Sequence, residues 1–225
     1  MPPLIHIVRH GEALHNTHPA YPDRDPPLTK SGHYTTKHKH LPAHPDLILI
    51  SPLTRTIQTA LNMFPFLSSP SASPTTTRVP AHIWPDLRET PSSSPCNQCS
   101  PRSHLAATFP QFDFSSCPEE GWYAEENEEE VVARAERVRR RVGEVMQKEG
   151  YENVFLVTHK GFKGYLVKGR RFGLAEVRSY RVAGEEEARG EGVRWGRDWE
   201  TGVERDYGPT VWVLEEGGRG SLGGE

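Results

Sequence analysis

Three short, almost wholly apolar runs constrain this chain more than any other feature: Leu4 to Val8 (LIHIV), Asp46 to Ile50 (DLILI) and Asn153 to Val157 (NVFLV). None shows the apolar and polar alternation of a strand with one wet face, so each predicts a strand covered on both sides. Each also opens into a polar turn followed by a helical stretch. Arg9, His10 and Gly11 follow the first run, SPLTRTIQTA follows the second, and Thr158, His159, Lys160 and Gly161 follow the third. Strand, turn and helix in repetition predict an α/β fold, a three-layer αβα sandwich with a mostly parallel central sheet. The site of such a sheet lies along the carboxyl ends of its strands.

Thr29 can cap a helix from Lys30 to about His40, which Pro42 and Pro45 stop. A further helix runs from the SPLTRT turn to about Met63, and AHIW (81–84), EVRSYRV and VWVLEE predict additional strands. The longest helix is expected from Glu125 to Glu149, where Val131, Ala135, Val138, Val142 and Val145 form one apolar face. Its early glutamates and its later Arg137, Arg139, Arg140 and Arg141 suit the helix dipole and are expected to be solvated. The Ser/Pro-rich stretches 67–78 and 91–120 read as irregular insertions in a single domain over residues 1–216, and the Gly-rich 217–225 as a disordered tail. Phe109, Phe112, Phe114, Trp122 and Tyr123 are expected to anchor the second insertion to the core.

Lys and Arg number 27 against 30 Asp and Glu, so no global positive field draws nucleic acid or anionic lipid. No apolar stretch approaches the roughly 20 residues of a membrane span. A cytoplasmic protein acting on small molecules is the expectation. Three cysteines are too few for a disulfide framework. Cys96 and Cys99 form a C-x-x-C pair without a second pair, and read as loop rather than zinc or redox site. Of the clustered histidines, His33 and His40 share a helix face with Lys37 while His38 turns away. No metal and no other cofactor is expected.

His10, Arg55 and His159 each follow the end of a different apolar run, where a parallel sheet brings them together. Imidazoles and guanidiniums in one place suit phosphoryl transfer. Arginine grips phosphate oxygens with a planar fork of donors, and a neutral imidazole can attack phosphorus and carry the phosphoryl group covalently. A carboxylic acid can then protonate the leaving oxygen and, as carboxylate, activate water.

IVRHGEALHN, DPPLTKSG, SPLTRTIQTA, DLRE and VTHKGF, in this order over roughly residues 4–182, resemble the histidine phosphatase superfamily in its phosphoglycerate-mutase-like branch. FGLAEVRSY resembles the closing strand region of small fungal and yeast members. The resemblance implies a metal-independent phosphatase acting through a phosphohistidine on a small-molecule phosphate ester. It implies His10 as nucleophile, Arg9, Arg55 and Asn16 as phosphate ligands, His159 as the second histidine on the phosphoryl group, and Glu89 as proton donor, with Asp86 the alternative acid. A phosphoglycerate-mutase-type transferase, a member recruited to specialised metabolism and a non-catalytic binder of phosphorylated ligands are the other readings.

Where members usually carry glycine after the second histidine, this chain has Lys160, with Lys163, Lys168, Arg170 and Arg171 following. Lys160 and Lys163 are expected to favour a substrate with a second anionic group, such as a diphosphate. CNQCS (96–100) also departs from the family's usual loop, so substrate preference does not transfer.

Overall fold

The computed structural model describes residues 2–18, 20–68, 79–90, 94–119, 126–198 and 201–215. Its strands are β1 (Leu4–Arg9), β2 (Leu47–Ile50), β3 (Ala81–Ile83), β4 (Asn153–Thr158), β5 (Val177–Val182), β6 (Trp195–Arg197), β7 (Glu204–Asp206) and β8 (Trp212–Leu214). The helices are α1 (Leu14–Thr17), α2 (Lys30–Lys37), α3 (Thr54–Met63), α4 (Arg102–Thr108), α5 (Glu128–Glu149), α6 (Lys160–Leu166), α7 (Glu185–Ala188) and α8 (Glu191–Arg194).

Six strands form one sheet in the order β3-β2-β4-β1-β5-β8, and β6 pairs with β7 in a separate hairpin. The first four are mutually parallel, while β5 and β8 run antiparallel to their neighbours. The apolar runs are continuous because both sheet faces are buried. Val8, Ile48, Ile50, Phe155 and Val157 pack with Ile57 of α3 and Leu105 of α4 on one side. Ile5, Ile7, Leu47, Leu49, Val154 and Leu156 pack with Val131, Ala135, Val138 and Val142 of α5 and Phe162 of α6 on the other. The mostly parallel αβα architecture read from the three runs is the one observed.

Several boundaries differ from the expectation for identifiable reasons. Helix α2 ends at Lys37, three residues early, where the Tyr34 carbonyl accepts the His38 N–H at 3.2 Å and the His38 ring folds back with Nδ1 2.8 Å from the same oxygen. Helix α5 begins at Glu128 because the Asn127 side chain accepts the Glu130 N–H while Glu130 reaches back to the Asn127 amide. Arg139 is not solvated. It is fully buried, paired with Glu136 and donating to the Tyr165 carbonyl at 2.7 Å, whereas Arg137, Arg140 and Arg141 are exposed.

The 91–120 stretch is less irregular than expected, since Leu105 and Phe109, one helical turn apart, are buried and order α4. Phe112 and Phe114 join the same core, as do Cys99 and Cys117. Trp122, Tyr123, the 217–225 tail and most of the 67–78 connection lie outside the described residues. Residues 183–206, for which no elements were expected, carry α7, α8 and the β6–β7 hairpin.

Candidate active site

The register of the sheet sets the site. Arg9 at the end of β1 pairs with Thr158 at the end of β4, so His10 and His159, the next residues, emerge side by side. The His10 backbone is pinned from both neighbours: its N–H donates to the Thr158 carbonyl at 3.1 Å and its carbonyl accepts from the Ala175 N–H at 3.1 Å. Gly11 N–H then donates to Thr59 Oγ1 of α3 at 3.0 Å. Gly32 has no room for a side chain where it packs against the Glu12 backbone, which holds the turn after His10 from the other side.

Strand β2, the other neighbour of β4, delivers Arg55 on the first turn of α3. The amide at the start of that helix is satisfied from outside it, because Asp25 accepts from Thr54 N–H and Thr54 Oγ1, both at 2.8 Å.

The imidazole of His10 lies 5.4 Å, centroid to centroid, from that of His159 and 5.7 Å from that of His15. His10 Nδ1 is 2.7 Å from the Gly11 carbonyl oxygen. A carbonyl only accepts, so Nδ1 carries the proton and Nε2 the lone pair. Burial, reinforced by the charge of Arg55, holds both His10 and His159 well below the ordinary histidine value. Both are therefore neutral at physiological pH. His159 Nε2 lies 2.7 Å from Ser51 Oγ, and its Nδ1 is buried with no hydrogen-bond partner among the described residues. His15 is pushed down to about 4 by burial and then by Arg55 and Arg9.

Two guanidiniums border this group. Arg9 Nη1 donates to the Phe172 carbonyl at 2.8 Å. Arg55 is almost fully buried, donating through Nη1 to the Cys96 carbonyl at 2.8 Å and through Nη2 to Asn97 Oδ1 at 3.1 Å. The CNQCS loop thus packs on one of the expected phosphate ligands, and Arg55 Nε is buried with no hydrogen-bond partner among the described residues.

Glu89 follows β3 and a 3-10 turn at Pro85–Leu87. Its carboxylate accepts from Thr90 N–H at 2.8 Å, Gly161 N–H at 3.1 Å and Phe162 N–H at 2.7 Å. That places it against the first turn of α6, directly after His159, and close enough to Arg55 to act on it electrostatically. A Cβ on Gly161 would stand 2.6 Å from Glu89 Oε1, so glycine there leaves room for the carboxylate. Asp86, the alternative acid, faces α5 instead, 3.6 Å from Arg137 and 3.9 Å from Arg141.

Asn16 is exposed. Its Oδ1 accepts from Ala13 N–H at 2.9 Å and its Nδ2 lies 3.1 Å from His15 Nε2. Lys163 lines a cleft beside α6, with its side chain anchored within the fold. It is buried, bonded to the Arg170 carbonyl at 3.0 Å and seated over Phe172, and burial brings it down to about 8. Lys168 is likewise tied to the Gly192 and Trp195 carbonyls. Lys160 stands at the start of α6, on a cleft of about 190 Å³ between that helix and the β6–β7 hairpin, which Thr90, Arg171 and Arg205 also line.

Sequence reasoning missed His15, Ser51 and Asn97. Ser51 carried a signal, since it follows β2 as His159 follows β4; His15, on the short α1, and Asn97 did not stand out from their neighbours. The cysteines are thiols, and among the described residues no three His, Cys, Asp or Glu side chains are grouped to hold a metal. No helix among those residues is long and apolar enough to cross a membrane.

The family described as the histidine phosphatase superfamily (branch 1) matches residues 5–182. No curated protein matches in sequence. Among solved structures, the ecdysone phosphate phosphatase from Bombix mori, in complex with tungstate, is similar with a TM-score of 0.58 at 16% identity, over 80% of this chain and 89% of that one. The alpha-ribazole phosphatase from Shigella flexneri gives 0.51 at 20% identity, over 80% and 91%. A mycobacterial glucosyl-3-phosphoglycerate phosphatase complexed with VO3 gives 0.52 at 18% identity, over 95% and 97%. At these identities the likeness is one of fold.

Proposed function

The chain belongs to the histidine phosphatase superfamily (branch 1), and on that premise we propose that it is a phosphoric ester hydrolase working through a phosphohistidine at His10. The observation that carries this reading is the Gly11 carbonyl 2.7 Å from His10 Nδ1, which leaves the Nε2 lone pair as nucleophile beside two arginines. In the proposed reaction Nε2 attacks phosphorus and the bond to the ester oxygen breaks, with Glu89 donating a proton to that oxygen. Glu89 then takes a proton from water, whose oxygen attacks phosphorus and breaks the N–P bond. Arg9 and Arg55 offset the roughly two negative charges of the ester, and His159 Nδ1 offers a further contact to the phosphoryl oxygens. Asn16, with its amide on His15, acts in this reading through that imidazole.

The similar structures are named for phosphate esters with unrelated organic halves, which supports small-molecule esters as the substrate class without choosing among them. Lys160 on its cleft favours a substrate with a second anionic group. At about 190 Å³ the cleft suits a compact group rather than a whole metabolite.

A panel of phosphate monoesters, diphosphates and bisphosphates, read by phosphate release, tests both parts. Release from no ester would refute hydrolysis, and isomerisation of phosphoglycerate without free phosphate would favour transfer. Lys160→Gln is expected to lower the preference in kcat/KM for a diphosphate over its monophosphate about tenfold or more, the scale of one charge-assisted hydrogen bond. An unchanged ratio removes Lys160 from specificity.

A further inference from the structure

The buried charges of α5 and the segment before it do more than fill the core. Arg134 is fully buried, with its hydrogen bonds directed at the segment that carries Glu89. Its Nη1 donates to the Asp86 and Arg88 carbonyls, both at 2.9 Å, so it grips the peptide immediately ahead of Glu89. Its guanidinium lies 4.1 Å from the centre of the Phe162 ring, and Phe162 supplies the amide that donates to Glu89 Oε1. Both ends of the Glu89 setting, its own backbone and the helix that receives its carboxylate, therefore rest on one side chain. Glu126 locks that side chain in turn. Its carboxylate accepts from Arg134 Nε at 3.0 and 3.1 Å and from Nη2 at 2.8 Å, and it also binds Arg88. Thr158 Oγ1, donating to the Leu87 carbonyl at 2.8 Å, ties the same segment to the strand that carries His159.

We infer that Arg134, locked by Glu126, is a positioning residue for Glu89, fixing the 86–89 segment against α6 so that the carboxyl stands where a leaving oxygen takes up its proton. The inference rests on the proposed role of Glu89 as proton donor. Planar, multiply bonded recognition of two carbonyls and a carboxylate is something a guanidinium provides and an ammonium does not.

A structural support and a positioning residue differ in which substrates they affect. Nitrophenyl phosphate leaves as a stable phenolate and needs little protonation, whereas an alkyl phosphate leaves as an alkoxide and needs it fully. The measurement is kcat/KM, which reports steps up to phosphoryl transfer, for both esters with wild type, Glu89→Gln, Arg134→Lys and Glu126→Gln. Glu89→Gln is expected to cost about 10²–10⁴-fold on the alkyl ester and only a few-fold on the aryl ester. Arg134→Lys and Glu126→Gln are expected to follow the same pattern at about 10- to 100-fold, the scale of a small misplacement.

Equal losses on both esters in Arg134→Lys and Glu126→Gln, with Glu89→Gln still selective, would overturn the positioning role alone. Equal losses in Glu89→Gln would overturn the reading of Glu89 itself, and the inference with it. Should Arg134→Lys fail to fold, Glu126→Gln, which keeps shape and removes charge, decides by the same comparison.

Discussion

His10→Ala is expected to lower phosphate release by about four to six orders of magnitude, the loss seen when a nucleophile is removed from a covalent mechanism. The fold should survive the change. The backbone of residue 10 is held by Thr158 and Ala175 through main-chain bonds that alanine keeps, and among the described residues the imidazole bonds just the neighbouring carbonyl. Far-ultraviolet circular dichroism and an unfolding curve verify folding, and steady-state phosphate release gives the rate. Turnover within tenfold of wild type would mean that water or another group attacks phosphorus. Arg9 and Arg55 would still bind the ester in the variant, so KM should change far less than kcat.

The second large effect is on stability. His10 and His159 are buried and held neutral, with values well below the 6.5 of an unfolded chain, by desolvation first and by Arg55 next. Below pH 6.5 the unfolded state takes up protons that the folded state refuses, so stability is full above that pH and falls as pH drops. Each histidine contributes a slope that steepens below pH 6.5 toward a limit of about 1.4 kcal/mol per pH unit. Against a typical total of about 5–15 kcal/mol, two such slopes acting together are a large effect. His15 acts in the same direction. Urea unfolding at pH 8, 6.5 and 5 measures the slope, and replacing both buried histidines by glutamine should flatten it. An equal slope in the double variant would show that these imidazoles are not held neutral.

The central part of this architecture was legible because its signals are local. Four or five apolar residues in a row need two dry faces, and a basic or histidine-bearing turn after each run lands on one sheet edge whatever the strand order. His10, Arg55 and His159 could therefore be grouped before the order β2-β4-β1 was known. Arg134 could not be read this way. It lies in a helix crowded with charges, and whether an arginine there meets water or the 86–89 carbonyls depends on how α5 packs on α6. Arg139 was misread for the same reason, and its partners at Tyr165 and Leu166 are set by that packing.

Lys163 lines the cleft with Lys160, and its ammonium is held by the carbonyls of Gly169 and Arg170, partners that its place in the sequence did not announce. The hairpin of residues 195–206 escaped notice because its strands are three residues each, too short to establish a period.

The phosphohistidine itself is the most direct target. Wild-type protein mixed with a ³²P-labelled phosphate ester, quenched in alkali within the first turnover and digested, should yield one labelled peptide containing His10, with a bond stable to base and labile to acid. Label on His159, on a carboxylate or on a hydroxyl, or turnover with no labelled protein under the same quench, would contradict the account.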